Sequence, residues 1–221
     1  MAISKEILSS MLPLIEKPEG ITPKQKLMDD VIVRVRNCRK CRLWQYATNP
    51  VPGEGSLDAS LMLIGEAPGY QEDLKGKPFA GRAGKILDKL LSGIDLRRED
   101  IYIGNVVKHR PPENRQPKED EIKACTPYLD EQIRIIKPGI IVTLGMHSTR
   151  YILLKMNVEF ERITDVRGQI YEGRLLDLQV KIMPTFHPAA VLHNPRYRSV
   201  LEEDFRKIKM ELSKQHSQGI Q

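Results

Sequence analysis

Long apolar runs are missing from this sequence: the longest cover only a few residues, far short of the roughly 20 that cross a bilayer. A charged, then apolar, then small-residue export signal is missing as well. A cytoplasmic protein with no membrane partner is therefore expected. Cysteine is scarce, at three residues. An odd count without an export signal argues against a disulfide framework and for free thiols or a metal site. Phenylalanine is almost as scarce, at four residues, so one that falls outside a periodic apolar face invites a functional question. A nucleotide-phosphate loop is absent too. Gly84-Lys85, the only plausible pair ahead of a helical stretch, lacks both the upstream glycine and the following Ser or Thr. No internal repeat is found.

What is present describes a soluble chain of 221 residues, 40% apolar and 29% charged, long enough for one sizeable core and short for two. The net charge of +6 suits a polyanionic partner, although composition alone does not identify one. Residues 1–30 carry one amphipathic stretch, "KEILSSMLPLIEK", and then the Pro/Gly-containing "KPEGITPKQK", read as a linker. Residues 31–212 form the domain, and "SKQHSQGIQ" (213–221) reads as a disordered tail.

Inside the domain lie four short apolar runs: "LMLIG" (61–65), "IYIGNVV" (101–107), "IIVTLG" (140–145) and "VKIMPTF" (180–186). Continuous apolarity without alternation is what a parallel strand buried on both faces requires. Amphipathic stretches follow them: "AGKILDKLLSGI", "KEDEIKACTPYLDEQIRII", "MHSTRYILLKM" and, after the last, "SVLEEDFRKIKMEL". This strand-loop-helix rhythm predicts an α/β fold, an open parallel sheet with helices on both faces. Ligands in such sheets bind beyond the carboxyl ends of the strands. The residues there are "GEAPG" (65–69), "NVVKH" (105–109), "GMHS" (145–148) and "FHPAA" (186–190). A carboxylate, an amide and an imidazole therefore converge at one end.

Each of these groups has a plain reading beside the functional one. Glu66 sits among Gly65, Ala67, Pro68 and Gly69, either as a solvated turn residue or in a turn that presents backbone N–H groups to a ligand. Asn105 interrupts an apolar run; its amide needs a partner, either neighbouring backbone or the edge of a planar base. His187, ahead of Pro188, is either a satisfied structural histidine or a catalytic one. Downstream, Leu192 beside Arg196 and Arg198 suits an apolar wedge entering DNA while guanidinium groups hold phosphates. Phe79, in "KGKPFAGRAG", either folds onto the core or stacks on a flipped base. Arg82 in the same loop joins the candidate DNA contacts. "CRKC" (38–41), with His109 and Cys125, forms a possible metal set that the residues alone assign neither to zinc nor to an iron-sulfur cluster.

In order and spacing, "CRKC", "LIGEAPGYQED", "GKPFAGRAGKILD", "NVVKHRPPENRQPKEDEIKAC" and "FHPAAVLHNP" resemble the family 4 uracil-DNA glycosylases, the iron-sulfur branch of their superfamily. The likeness covers about residues 35 to 210. It implies a three-layer α/β/α sandwich with a central four-stranded parallel sheet. It also implies a monomeric, monofunctional enzyme that hydrolyses the N-glycosidic bond of uracil in single- and double-stranded DNA, leaving free uracil and an abasic site. Gly65, Glu66 and Ala67 would lie beside the extruded base, Phe79 would stack on it and Asn105 would read its edge. His187 would donate to uracil O2, with Glu72 near the thymine-methyl side of the pocket. The best-known branch has a water-directing aspartate where this chain has Ala67. The expectation is therefore stabilisation of an oxocarbenium-like state, with Glu66 and His187 as catalytic residues.

The resemblance also implies a 4Fe-4S cluster on Cys38, Cys41, Cys125 and position 109. His109 is a departure, since the family usually has cysteine there. A sister class traps uracil covalently through a histidine on an inserted basic loop, but "HRPPENRQP" carries no such insertion, so free product is expected. Two other classes remain: a non-catalytic or polymerase-associated nucleic-acid binder, and a metal-stabilised electron-transfer module.

Overall fold

The structure is a computed structural model that describes residues 21–218. Its sheet is built from β1 (Glu54–Gly55), β2 (Leu61–Gly65), β3 (Tyr102–Asn105), β4 (Ile140–Leu144), β5 (Tyr171–Leu175) and β6 (Leu178–Thr185), in the order β1-β3-β2-β4-β6-β5. The helices are α1 (Pro23–Arg36), α2 (Tyr70–Lys75), α3 (Arg82–Ser92), α4 (Glu119–Ile136), α5 (Met146–Leu154), α6 (Ile163–Val166), α7 (Ala190–His193) and α8 (Tyr197–Gln218). The central strands β3, β2, β4 and β6 run parallel, as the four apolar runs predict. Two antiparallel edges make the sheet mixed: β1 on β3 and β5 on β6. Neither edge is an apolar run. β1 is two residues long, and β5 alternates between more and less exposed positions. The β5–β6 hairpin turns on Leu176 and Asp177, both at positive φ, without the Asn-Gly signal that usually marks such a turn.

Alternation along β2 divides the core into its two halves. Met62 and Ile64 pack with Met28, Val31 and Val35 of α1 and Leu129 and Ile133 of α4. Leu61 and Leu63 pack with Leu87 and Leu91 of α3 and Leu201 and Phe205 of α8. Helices thus cover both faces, giving three layers. Leu63 is fully buried, and truncating such a side chain to alanine costs about 2–5 kcal/mol.

Two boundaries differ from the sequence reading. The linker assigned through residue 30 ends earlier, because "ITPKQK" starts α1: Thr22 caps the helix by accepting from the Gln25 N–H, and Pro23 occupies its first turn. Met28 then joins the core. Residues 213–218, read as tail, continue α8, since no Gly or Pro interrupts the helix before Gly219. The expected amphipathic stretch at 5–17 lies outside the described residues.

Candidate active site

Parallel pairing of β2 with β3 places Gly65 opposite Asn105. A β-carbon on Gly65 would stand 2.4 Å from Asn105 Oδ1 and 3.0 Å from Phe79 Cζ. The missing side chain is therefore what allows the carboxamide and the phenyl ring to lie together. Gly65 is the floor under these groups; the cleft above it, about 510 Å³, is lined by Glu66, Ala67, Glu72, Phe79, Asn105 and His187, among others.

Phe79 is buried and holds φ at 49°, a left-handed conformation that costs a non-glycine residue on the order of 1 kcal/mol or more. Arg98 fixes it by donating to the carbonyl oxygens of Pro78 and Phe79 while pairing with Glu54 and Asp88. Gly84 leaves room for the same carbonyl, which a β-carbon there would meet at 1.7 Å. The Phe79 ring stacks on that of His187, with centroids 5.4 Å apart and planes 24° from parallel. Glu72 ties this loop to α2: its Oε1 accepts from the Gly81 N–H at 2.8 Å, at the start of α3.

His187 Nδ1 accepts from the Ala189 N–H at 3.1 Å, so the neutral ring carries its proton on Nε2. Burial pushes its pKa down to about 4, against a smaller opposing pull from Glu72. Near neutral pH it is thus an uncharged donor. Burial raises the Glu66 pKa, and His147 at the start of α5 partly offsets that rise. No described residue donates a hydrogen bond to the Glu66 carboxylate, and none pairs with the Asn105 carboxamide. Yet among the described residues no fully buried side-chain polar atom is left unsatisfied, so both groups open onto the cleft. Neighbouring backbone, the plain alternative for Asn105, does not satisfy its side chain.

Leu192 is exposed on α7, Arg196 and Arg198 are exposed around the start of α8, and Arg82 is exposed at the start of α3; none of the four is among the residues that line the cleft. His193, Asn114 and Arg115 do line it, and the sequence reading did not single them out. Asn114 sits at positive φ in the "RPPENR" loop, whose bend brings it over the site. This loop is a less open basic lip than its composition suggests. Arg115 makes a bidentate pair with buried Glu121, at 2.8 and 2.7 Å, and Arg110 lies 5.1 Å over the Tyr70 ring.

The cysteines lie around the segment that follows the carboxyl end of β3. Cys125 is buried in α4 and its Sγ accepts from the Lys108 N–H at 3.1 Å. Cys38 and Cys41, half-buried, follow α1. The three thiols lie within electrostatic reach of one another, and burial pushes that of Cys125 up to about 12. Buried His109 shares a cleft of about 420 Å³ with Cys38. Among the described residues no three His, Cys, Asp or Glu side chains converge on a point that would hold one metal ion. Three thiols within electrostatic reach of one another, with an imidazole beside Cys38, are a donor set that either zinc or an iron-sulfur cluster accepts.

A model of the family described as the Uracil DNA glycosylase superfamily matches residues 52–212. The chain is 54% identical over 187 residues to the type-4 uracil-DNA glycosylase of Saccharolobus solfataricus, covering 84% of this chain and 87% of that protein. It is 53% identical over 186 residues to that of Sulfurisphaera tokodaii, covering 84% and 83%. To that of Archaeoglobus fulgidus it is 46% identical over 181 residues, covering 82% and 91%. The chain belongs to the uracil-DNA glycosylase superfamily, in its type-4 branch.

Proposed function

We propose that this chain is a monofunctional uracil-DNA glycosylase that hydrolyses the bond between uracil and deoxyribose and releases free uracil from DNA. The observation that carries the reading is the set of unpartnered groups in the cleft: the Asn105 carboxamide and the Glu66 carboxylate, beside a neutral imidazole with its proton on Nε2. Asn105 offers an acceptor for uracil N3–H and a donor for O4. Cytosine presents the opposite pattern at both atoms, so the same carboxamide orientation rejects it. Phe79 stacks on the flipped base. As the glycosidic bond breaks, its electron pair moves into the uracil ring. His187 Nε2–H meets the charge that gathers on O2, an oxyanion-hole type of stabilisation.

Glu66, as its carboxylate, stabilises the positive charge left on the sugar, and water adds at C1′. The water's remaining proton goes to the released base, so the overall reaction is balanced. Leu192 fills the space vacated by the base, while Arg82, Arg196 and Arg198 hold phosphates. Cys38, Cys41, Cys125 and His109 would hold a 4Fe-4S cluster, which would tie together the segment after α1, the segment after β3 and α4. Nothing in the chemical step passes through it.

The test is alkali cleavage of a labelled oligonucleotide containing one uracil after incubation with the protein. Strand breaks at the uracil, with free uracil in the supernatant, are expected. Intact strands would reject the reading, and a protein-DNA adduct on a denaturing gel would reject release of product.

A further inference from the structure

Lys108 is fully buried and has no carboxylate partner among the described residues. Its Nζ donates to the backbone carbonyl of Asn105 at 3.0 Å and to Gln132 Oε1 at 2.6 Å. Gln132 is anchored in turn, its Nε2 donating to Pro52 O at 2.8 Å and to the Tyr102 hydroxyl at 3.0 Å. A buried amine whose side-chain hydrogen bonds go to neutral oxygens, with the Cys125 thiol as its electrostatic neighbour, is an expensive way to fill a core, where an apolar side chain of similar volume would serve stability as well or better. Its position suggests another use. The Asn105 carboxamide has no hydrogen bond of its own to steady it. Its direction is therefore set by its backbone, by the space over Gly65 and by whatever fixes the strand end from below.

We propose that Lys108 is a positioning residue for uracil recognition: by gripping the Asn105 carbonyl from the core, with Gln132 as its anchor, it aims the carboxamide at the edge of the base. This inference rests on the proposed function and goes beyond it, because Lys108 touches neither substrate nor cleft. It specifies a dependence: Lys108 acts through Asn105 and through nothing else at the site.

The experiment is a double-mutant cycle on the full chain with Lys108→Met and Asn105→Ala. Lys108→Met alone is expected to lower kcat/KM on uracil-containing DNA about tenfold, the scale of one charge-assisted hydrogen bond, and to narrow the preference for uracil over cytosine. In the Asn105→Ala background the same change is expected to cost less than about twofold. Because Lys108→Met keeps the backbone N–H that reaches Cys125, iron per chain should equal that of the unsubstituted protein. An equal loss in both backgrounds, or a loss of iron, would overturn the proposal and leave Lys108 with a purely structural role. If Lys108→Met does not fold, Gln132→Met carries the cycle, with a smaller loss that again vanishes in Asn105→Ala. If the unsubstituted protein releases no uracil, the proposed function fails. The cycle is then read as binding anisotropy with uracil- and cytosine-containing oligonucleotides, where additivity again overturns the role of Lys108.

Discussion

The two ends of the sheet each carry a cleft, and the two clefts differ in how their polar groups are satisfied. At the carboxyl end, about 510 Å³ of space is faced by a carboxylate, a carboxamide and an imidazole, the first two without a hydrogen bond from any described residue. At the amino end, about 390 Å³ is lined by Asp58, Asp95 and Asp100. Each of these is spoken for: Asp58 by Lys24, Asp95 by Lys209, and Asp100 by the side chain and backbone N–H of Arg97. Volume is similar at the two ends, and the chemistry is not. A cleft becomes a site where polar groups are held in place but left incomplete. The amino end has charges without vacancies, its carboxylates matched by Lys24, Lys209 and Arg97.

The largest blow to this contrast should come from His187→Ala. Removing one preorganised donor is expected to lower kcat by about 100- to 1000-fold, with a smaller change in DNA binding, measured by single-turnover release of uracil. An intermediate effect is expected from the acid limb of the pH profile. The Glu66 pKa is raised by burial above the ordinary carboxylate value of 4.5, so kcat/KM should fall as pH drops through that raised value, where the carboxylate takes up a proton. His187, titrating near 4, should contribute nothing above that range. Glu66→Gln should abolish the limb and lower the plateau; a limb that persists in Glu66→Gln would remove the carboxylate from the mechanism. The smallest effects separate the two ends directly. Arg198→Ala should reduce the salt slope of DNA binding by about one and weaken binding alike for all sequences. Asp95→Asn, at the other end, should leave uracil release within about twofold of the unsubstituted protein.

The carboxyl-end cleft was legible in the sequence because a parallel strand buried on both faces writes itself as an apolar run, and topology then dictates where its last residues meet. That rule alone puts Glu66, Asn105 and His187 at one end, and scarcity and a loop single out Phe79; their roles came only with the resemblance. The residues that hold them did not announce themselves. Arg98 looks like any surface arginine until the Phe79 carbonyl is seen against it, and Lys108 looks solvated in "NVVKHR" although it is fully buried. His147 stood in a strand-end motif with no signal that it lies within electrostatic reach of Glu66. The start of α1 was hidden by a Thr-Pro pair that serves equally as a break and as a helix cap. In each case the deciding partner is far away in sequence, and pattern along the chain does not carry it.

The hydrogen bond from the Ala189 N–H to His187 Nδ1 also bears on how the protein would patrol DNA. With Nδ1 occupied by a backbone donor and the ring uncharged near neutral pH, the imidazole would begin and end each turnover in the same tautomer. Nothing on it has to be reset by exchange with solvent before the next base is tested. A searching enzyme built this way would be ready at every nucleotide it visits, and its pace would be set by opening of the helix and release of product instead of by recovery of its own catalytic group.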